Sequence, residues 1–145
     1  MKGFRYIDHT ADIQSQSWGP NLEEAFSQCA LSLMAIITPN LHYITPIIEK
    51  KIKIEAEDKE ALLFDFLSEF LFIFDVEELV FNKIHVMFIR KNKNKSNYEL
   101  EAILKGEKFN RNKHEIGTEV KAITYSFMEI IESRDKVEIK VIFDI

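Results

Sequence analysis

Two acidic clusters at opposite ends of the chain carry the residue types best suited to chemistry. Residues 8–12 read DHTAD, so Asp8, His9, Thr10 and Asp12 fall inside a stretch, 3–18, that is otherwise extended in character. Aspartate is a poor strand residue, so two of them at a bend need a reason. A turn supplies one, because the Asp8 and Thr10 side chains can accept from nearby backbone N–H groups. A hard-cation site built from oxygens supplies another. At the far end the chain reads FDI directly after a strand-like run. Asp144 and the α-carboxylate of Ile145 put two anionic groups within one residue, a pair able to bite one divalent cation. A solvated chain end is the alternative. The third feature is GTEVKAITY at 117–125. Its alternation places Glu119, Lys121 and Ile123 on one strand face. Lys121 could pair with Glu119 or Glu138, or offer its ammonium to a phosphate or a partner carboxylate. His114, just before Gly117, reads as a surface loop residue, and His85 as an ordinary strand residue.

The familiar enzyme signatures are missing. There is no GxGxxG or Walker-type loop among the 4 glycines, no HExxH and no GxSxG elbow. A single cysteine, Cys29, excludes an internal disulfide and a cysteine-cluster zinc site and fits a reducing compartment. The net charge of −5 opposes nucleic-acid binding by the chain as a whole. The one basic run, RKNKNKSN at 90–97, reads as a solvated hairpin loop. No secretory signal pattern opens the chain. The longest apolar stretch, ALLFDFLSEFLFIF, is interrupted by Asp65, Ser68 and Glu69 and falls short of the ~20 apolar residues a membrane span needs. These readings point to a cytoplasmic protein without a membrane role.

The elements that must position the clusters are legible from period and punctuation. Gly19-Pro20 stops the first extended stretch. NLEEAFSQCALSLMAIITP then reads as a helix. Asn21 stands at the cap with Glu24 three residues on, and Leu22, Ala25, Phe26, Cys29, Ala30, Leu33, Met34 and Ile37 form one apolar stripe. Cys29 on that stripe is a core residue. Residues 47–57 alternate as a half-buried strand. Asp58 caps a second helix, 59–76, whose apolar residues cover nearly every side, so it is expected to be the central and most buried helix. Strands follow at 79–91 and 97–107, a polar loop at 106–117, and a last hairpin across Arg134-Asp135. In the last strand Val137, Ile139, Val141 and Phe143 should face in, and Glu138, Lys140, Ile142 and Asp144 out. Two helices and about seven strands, mostly in hairpins, make an α+β fold, with one domain over residues 1–145. Pairing of the terminal strands would bring Asp12 near Asp144.

YIDHTADIQSQSWGPNLEEAFSQCALSL, followed far downstream by GTEVKAITYS and a terminal VIFDI, resembles the archease family, and the match runs from about residue 3 to residue 145. The resemblance implies a compact α+β fold of mostly antiparallel sheets with two main helices. It implies a non-catalytic cofactor of the RtcB-class tRNA-splicing RNA ligase, cytoplasmic or, in a eukaryote, nuclear. Such a cofactor promotes formation of the ligase's GMP–histidine intermediate and multiple turnover, and meets tRNA and GTP only through the ligase. It also implies a divalent-metal site, Ca²⁺ foremost with Mg²⁺ or Mn²⁺ as alternatives, at Asp12, Asp144 and Ile145. Asp8, His9 and Thr10 would support that site or touch the partner, and Lys121 would contact partner or phosphate. A general chaperone of tRNA-modifying proteins and a stand-alone metal-dependent enzyme, with His9 as base, are the rival expectations.

Overall fold

The structure, a computed structural model, describes residues 1–8 and 11–145, with Asp8 described by its backbone alone. The extended stretch at the start divides into two strands, β1 (Gly3–Asp8) and β2 (Asp12–Gly19), which pair antiparallel with Asp8 opposite Ile13 and Gly3 opposite Trp18. Asp8 thus ends the first strand of a hairpin and Asp12 begins the second. Nothing in an alternating sequence distinguishes one bent strand from two short ones that fold back on each other.

Asn21 caps helix α1 (Leu22–Ile37) as its spacing predicts, accepting from the Glu24 N–H at 2.9 Å. A short 3₁₀ turn at Leu41–Tyr43 leads to β3 (Ile48–Ala56). Asp58 then caps α2 (Lys59–Glu77), accepting from Ala61 N–H at 2.7 Å. The hairpin β4 (Leu79–Asn92) and β5 (Asn97–Lys108) follows, with the Lys/Asn run in its turn, and the chain closes with β6 (Ala122–Glu132) and β7 (Val137–Asp144).

Two antiparallel sheets result, β1-β2-β7-β6 and β3-β5-β4. The helices lie between them. α1 touches β1, β2 and β7 on one side and β4 on the other, and α2 touches β6 on one side and β3, β5 and β4 on the other. The core is aromatic: Phe26, Phe66, Phe70, Phe81 and Phe143 are fully buried, each contributing about 1.5–3 kcal/mol by leaving water.

The most buried helix is α1, not α2. α1 buries 11 of its 16 residues, α2 only 6 of 19. The reason is position. α1 has a strand against two faces, whereas the outer side of α2 stays open between the sheet edges, leaving Phe72 and Val76 in solvent. Apolar content told how greasy α2 is, but not which neighbours would cover it. The alternation of β7 holds except at Ile142, which is 3% exposed although it lies on the outward side with Glu138 and Asp144.

Candidate functional site

The site is assembled where β2 begins, β7 ends and the chain enters β6. In the β2–β7 ladder Asp12 is the direct cross-strand partner of Asp144, and the next pair in, Ile13 and Phe143, packs into the core. Directly opposed residues share a sheet face with Cβ atoms about 4.5–5.5 Å apart. The two carboxylates therefore sit side by side on the face turned away from the helices. Ile145 follows at once and packs partly against the core. The expected meeting of the two chain ends is what the register contains.

Three supports hold this corner. The β1–β2 hairpin is tied to α1 by a buried hydroxyl chain. Ser32 Oγ donates to Cys29 O at 2.6 Å, Ser15 Oγ lies 2.6 Å from Ser32 Oγ, and the Tyr6 hydroxyl donates to Ser32 O at 2.7 Å. Burial pushes the Cys29 thiol up to about 12, so it is a packed apolar group and not a nucleophile.

The second support is the end of α1. Its last turn has no basic residue, and its carbonyls are met instead by backbone: Gly117 N–H donates to Ile37 O at 2.9 Å and Thr118 N–H to Ile36 O at 2.8 Å. A Cβ at position 117 would stand 2.1 Å from Ile36 O, so only glycine permits this approach.

The third is an ion cluster in the same loop, built on a buried histidine. His114 is 2% exposed. Its Nδ1 accepts from Asn110 N–H at 2.9 Å, so Nε2 carries the proton and donates to Glu107 at 2.9 Å. Burial alone would raise the Glu107 carboxyl, but Lys113 Nζ at 2.7 Å, the Thr45 N–H at 2.7 Å and His114 outweigh it and bring it down to about 2. His114 is thus an anchor of the 109–121 loop rather than the surface residue its polar surroundings suggest. Glu107, its partner, carries no sequence signal at all.

Lys121 is exposed and stands one residue before β6 begins, so it and Glu119 belong to the loop and not to a strand face. Its N–H donates to Asp144 O at 2.7 Å, which docks Lys121 on the acidic pair through the main chain. Glu138 pairs with Lys136 at 3.0 Å rather than with Lys121. Asp8 ends β1 at the same edge of the sheet; His9 and Thr10 lie outside the described residues.

Two clefts flank the loop. One of ≈ 370 Å³ runs between Asp12, Ile145, Tyr6, Thr118 and the end of α1. The other, ≈ 630 Å³, holds Lys121, Glu119, Arg111 and Asp75 over an apolar floor of Phe74 and Phe109. Arg111 and Asp75 come from the polar loop and from α2, segments in which neither composition nor period marked them. Among the described residues no three His, Cys, Asp or Glu side chains converge, and no helix is long and apolar enough to cross a membrane. Among the described residues the corner offers the carboxylates of Asp12 and Asp144 beside the exposed Lys121, with a cleft on either side of the loop.

Known proteins share this fold. Residues 4–145 match the family model of the archease protein family (MTH1598/TM1083). The chain is 42% identical over 145 residues to protein archease of Danio rerio, covering 99% of this chain and 86% of the relative. It is also similar to the solution structure of Methanobacterium thermoautotrophicum protein 1598, with TM-score 0.85 and 34% identity over 100% of both chains. A crystal structure of an archease from Thermotoga maritima, described as a "possible chaperone", shares the fold at TM-score 0.60 and 24% identity, covering 96% of this chain and 94% of that one.

Proposed function

The chain belongs to the archease family, and from that premise we propose that it is a non-catalytic activator of the RtcB-class tRNA-splicing RNA ligase. In this reading it promotes guanylylation of the ligase and restores turnover after each joining event. The observation that carries the reading is the opposition of Asp12 and Asp144 across the β2–β7 ladder. Like charges directly opposite one another cost stability. A divalent cation bound by both carboxylates would offset that cost.

The donors fit a hard divalent ion. Asp12, Asp144 and the main-chain oxygens of Ile145 are all oxygen ligands, which suit Ca²⁺, Mg²⁺ or Mn²⁺ and not a thiophilic metal. Such an ion, when bound, offsets phosphate charge. The protein's own part is to hold the two carboxylates in register, to present Lys121 beside them, and to keep the corner rigid through Gly117 and the His114–Glu107 pair. Asp8, His9 and Thr10 would orient the site or touch the partner. GTP and tRNA reach it through the ligase. The net charge of −5 favours steering onto a basic, RNA-binding partner in the cytoplasm or, in a eukaryote, the nucleus.

Asp12→Ala and Asp144→Ala should fold like the parent and bind the ligase, yet leave it limited to a single round in a turnover assay with excess broken tRNA. Full stimulation by both variants would sink the metal-corner reading. The general-chaperone alternative rests on the description of the Thermotoga maritima relative. It predicts that tRNA-modifying enzymes, and not the ligase, dominate the fraction captured by the tagged protein.

A further inference from the structure

Three exposed aromatic residues, Tyr125, Phe127 and Phe72, lie on β6 and on the open side of α2, the helix that β6 packs against. Between the pairs Thr124–Ile142 and Glu129–Lys140, β6 carries residues 125–128 against the single Val141 of β7, so the strand bulges outward. Within the bulge Phe127 adopts φ 56°, the left-handed region that a bulky residue rarely enters. The residue is 76% exposed. Backbone strain and a solvated phenyl ring both work against folding, and such outliers cluster at functional surfaces. Tyr125, 54% exposed, stacks on Phe64 of α2 with ring centroids 4.3 Å apart and planes 7° from parallel. Two turns along α2, Phe72 is 58% exposed.

The seam of β6 and α2 is also acidic. Partial burial raises the Tyr125 hydroxyl, and the carboxylates of Asp65, Asp58 and Glu57 raise it further. Asp65 and Glu69 continue beside Phe72 into a shallow hollow against β3 that Lys53 and Glu55 also line, Glu55 with Lys95 3.7 Å away.

We propose that this seam, Phe64–Tyr125–Phe127–Phe72 with Asp65 among the rings, is a docking surface for a protein partner that presents arginine side chains. Rigid aromatic faces edged by carboxylates are what a guanidinium recognises, stacking on the ring and bonding the carboxylate at once; an ammonium does the second but stacks poorly. The charge excludes a nucleic-acid backbone as occupant. The bulge interrupts the row of N–H and C=O groups that a second copy of β6 would need for edge-to-edge pairing, so a second copy is not the occupant either. The surface is separate from the Asp12–Asp144 corner, and its test does not depend on the ligase reading.

The test is an NMR titration of the ¹⁵N-labelled protein with two probes of equal charge, hexa-arginine and hexa-lysine peptides. Expected are shift changes centred on residues 64–72 and 124–128, with hexa-arginine binding at least about threefold tighter than hexa-lysine. Asp65→Asn and Phe127→Gly should each weaken hexa-arginine binding by about fivefold or more. The glycine variant relieves the positive φ, so it should keep the parent spectrum elsewhere. Equal affinity for the two peptides, or binding untouched by Phe127→Gly, would overturn the proposal. So would shifts centred on Asp12 and Asp144, shifts of the seam produced by tRNA, or seam shifts that follow protein concentration without peptide.

Discussion

Both sheets place carboxylates directly across from one another, and they handle them differently. In the β3-β5-β4 sheet Glu55 faces Glu99. Each has its own cation: Lys95 lies 3.7 Å from Glu55, and Arg90 Nε lies 2.6 Å from Glu99 and, with Asn92, holds its carboxyl below the usual range. In the β1-β2-β7-β6 sheet Asp12 faces Asp144, and among the described residues Asp144 has no ion pair. Lys121 is fastened to Asp144 by its backbone, leaving its ammonium exposed. The first arrangement is self-sufficient structure. The second gives Asp144 no cation of its own among the described residues, and the contrast teaches where to look for function: not at charge, which both sheets have, but at a carboxylate that the sheet does not pair with a cation.

The largest effect should come from the loop that props the acidic corner. Gly117→Ala must displace the Ile36 carbonyl and is expected to destabilise the protein by about 2–3 kcal/mol in chemical denaturation. Glycine-to-alanine changes that leave stability intact would show that the α1 terminus is not held this way.

Next is divalent metal itself. Calcium at about 100 times its dissociation constant should stabilise the parent by about 2.7 kcal/mol and leave Asp144→Asn unmoved. Thermal melts with and without chelator measure this directly. An equal shift in both proteins would erase the distinction between the sheets.

Acid should loosen the same corner. The folded Glu107 carboxyl titrates at about 2 against an ordinary 4.5, so its contribution is complete above pH 4.5 and is lost as pH falls toward 2. That contribution is of order 2 kcal/mol after allowance for solvent screening. Glu107→Gln should flatten the acid limb of a stability-against-pH curve.

The smallest effects carry the sharpest contrast, because they have opposite signs. Without metal, Asp144→Asn relieves cross-strand repulsion and should stabilise by roughly 0.2–1 kcal/mol. Glu99→Gln removes the partner of Arg90 and should lower the melting temperature slightly. Two changes of the same sign would refute the comparison.

Much of this is legible in the sequence. Asn21 and Asp58 cap the helices their spacing announces, because an N-cap is a local bargain between one side chain and a backbone N–H three residues on. The β6–β7 hairpin turns at Arg134-Asp135, and the α+β class follows from the order of periods. The motif residues Asp12, Asp144 and Lys121 were singled out by type and resemblance. What was missed has a common cause. The split of residues 3–18 into a hairpin, the burial of His114 against Glu107, the openness of α2 and the bulge at Phe127 all depend on which distant segment lies alongside.

Sequence alone, then, determined the elements, their caps and the acidic character of the two chain ends, since these depend on interactions within a few residues. Only the tertiary structure decided that Asp12 and Asp144 stand opposite each other and that Gly117 closes the end of α1. It also decided that one helix is enclosed while the other shows its rings to solvent. Cross-strand register and helix coverage are properties of surfaces brought together from far apart in the chain, and no local period encodes which surface will arrive.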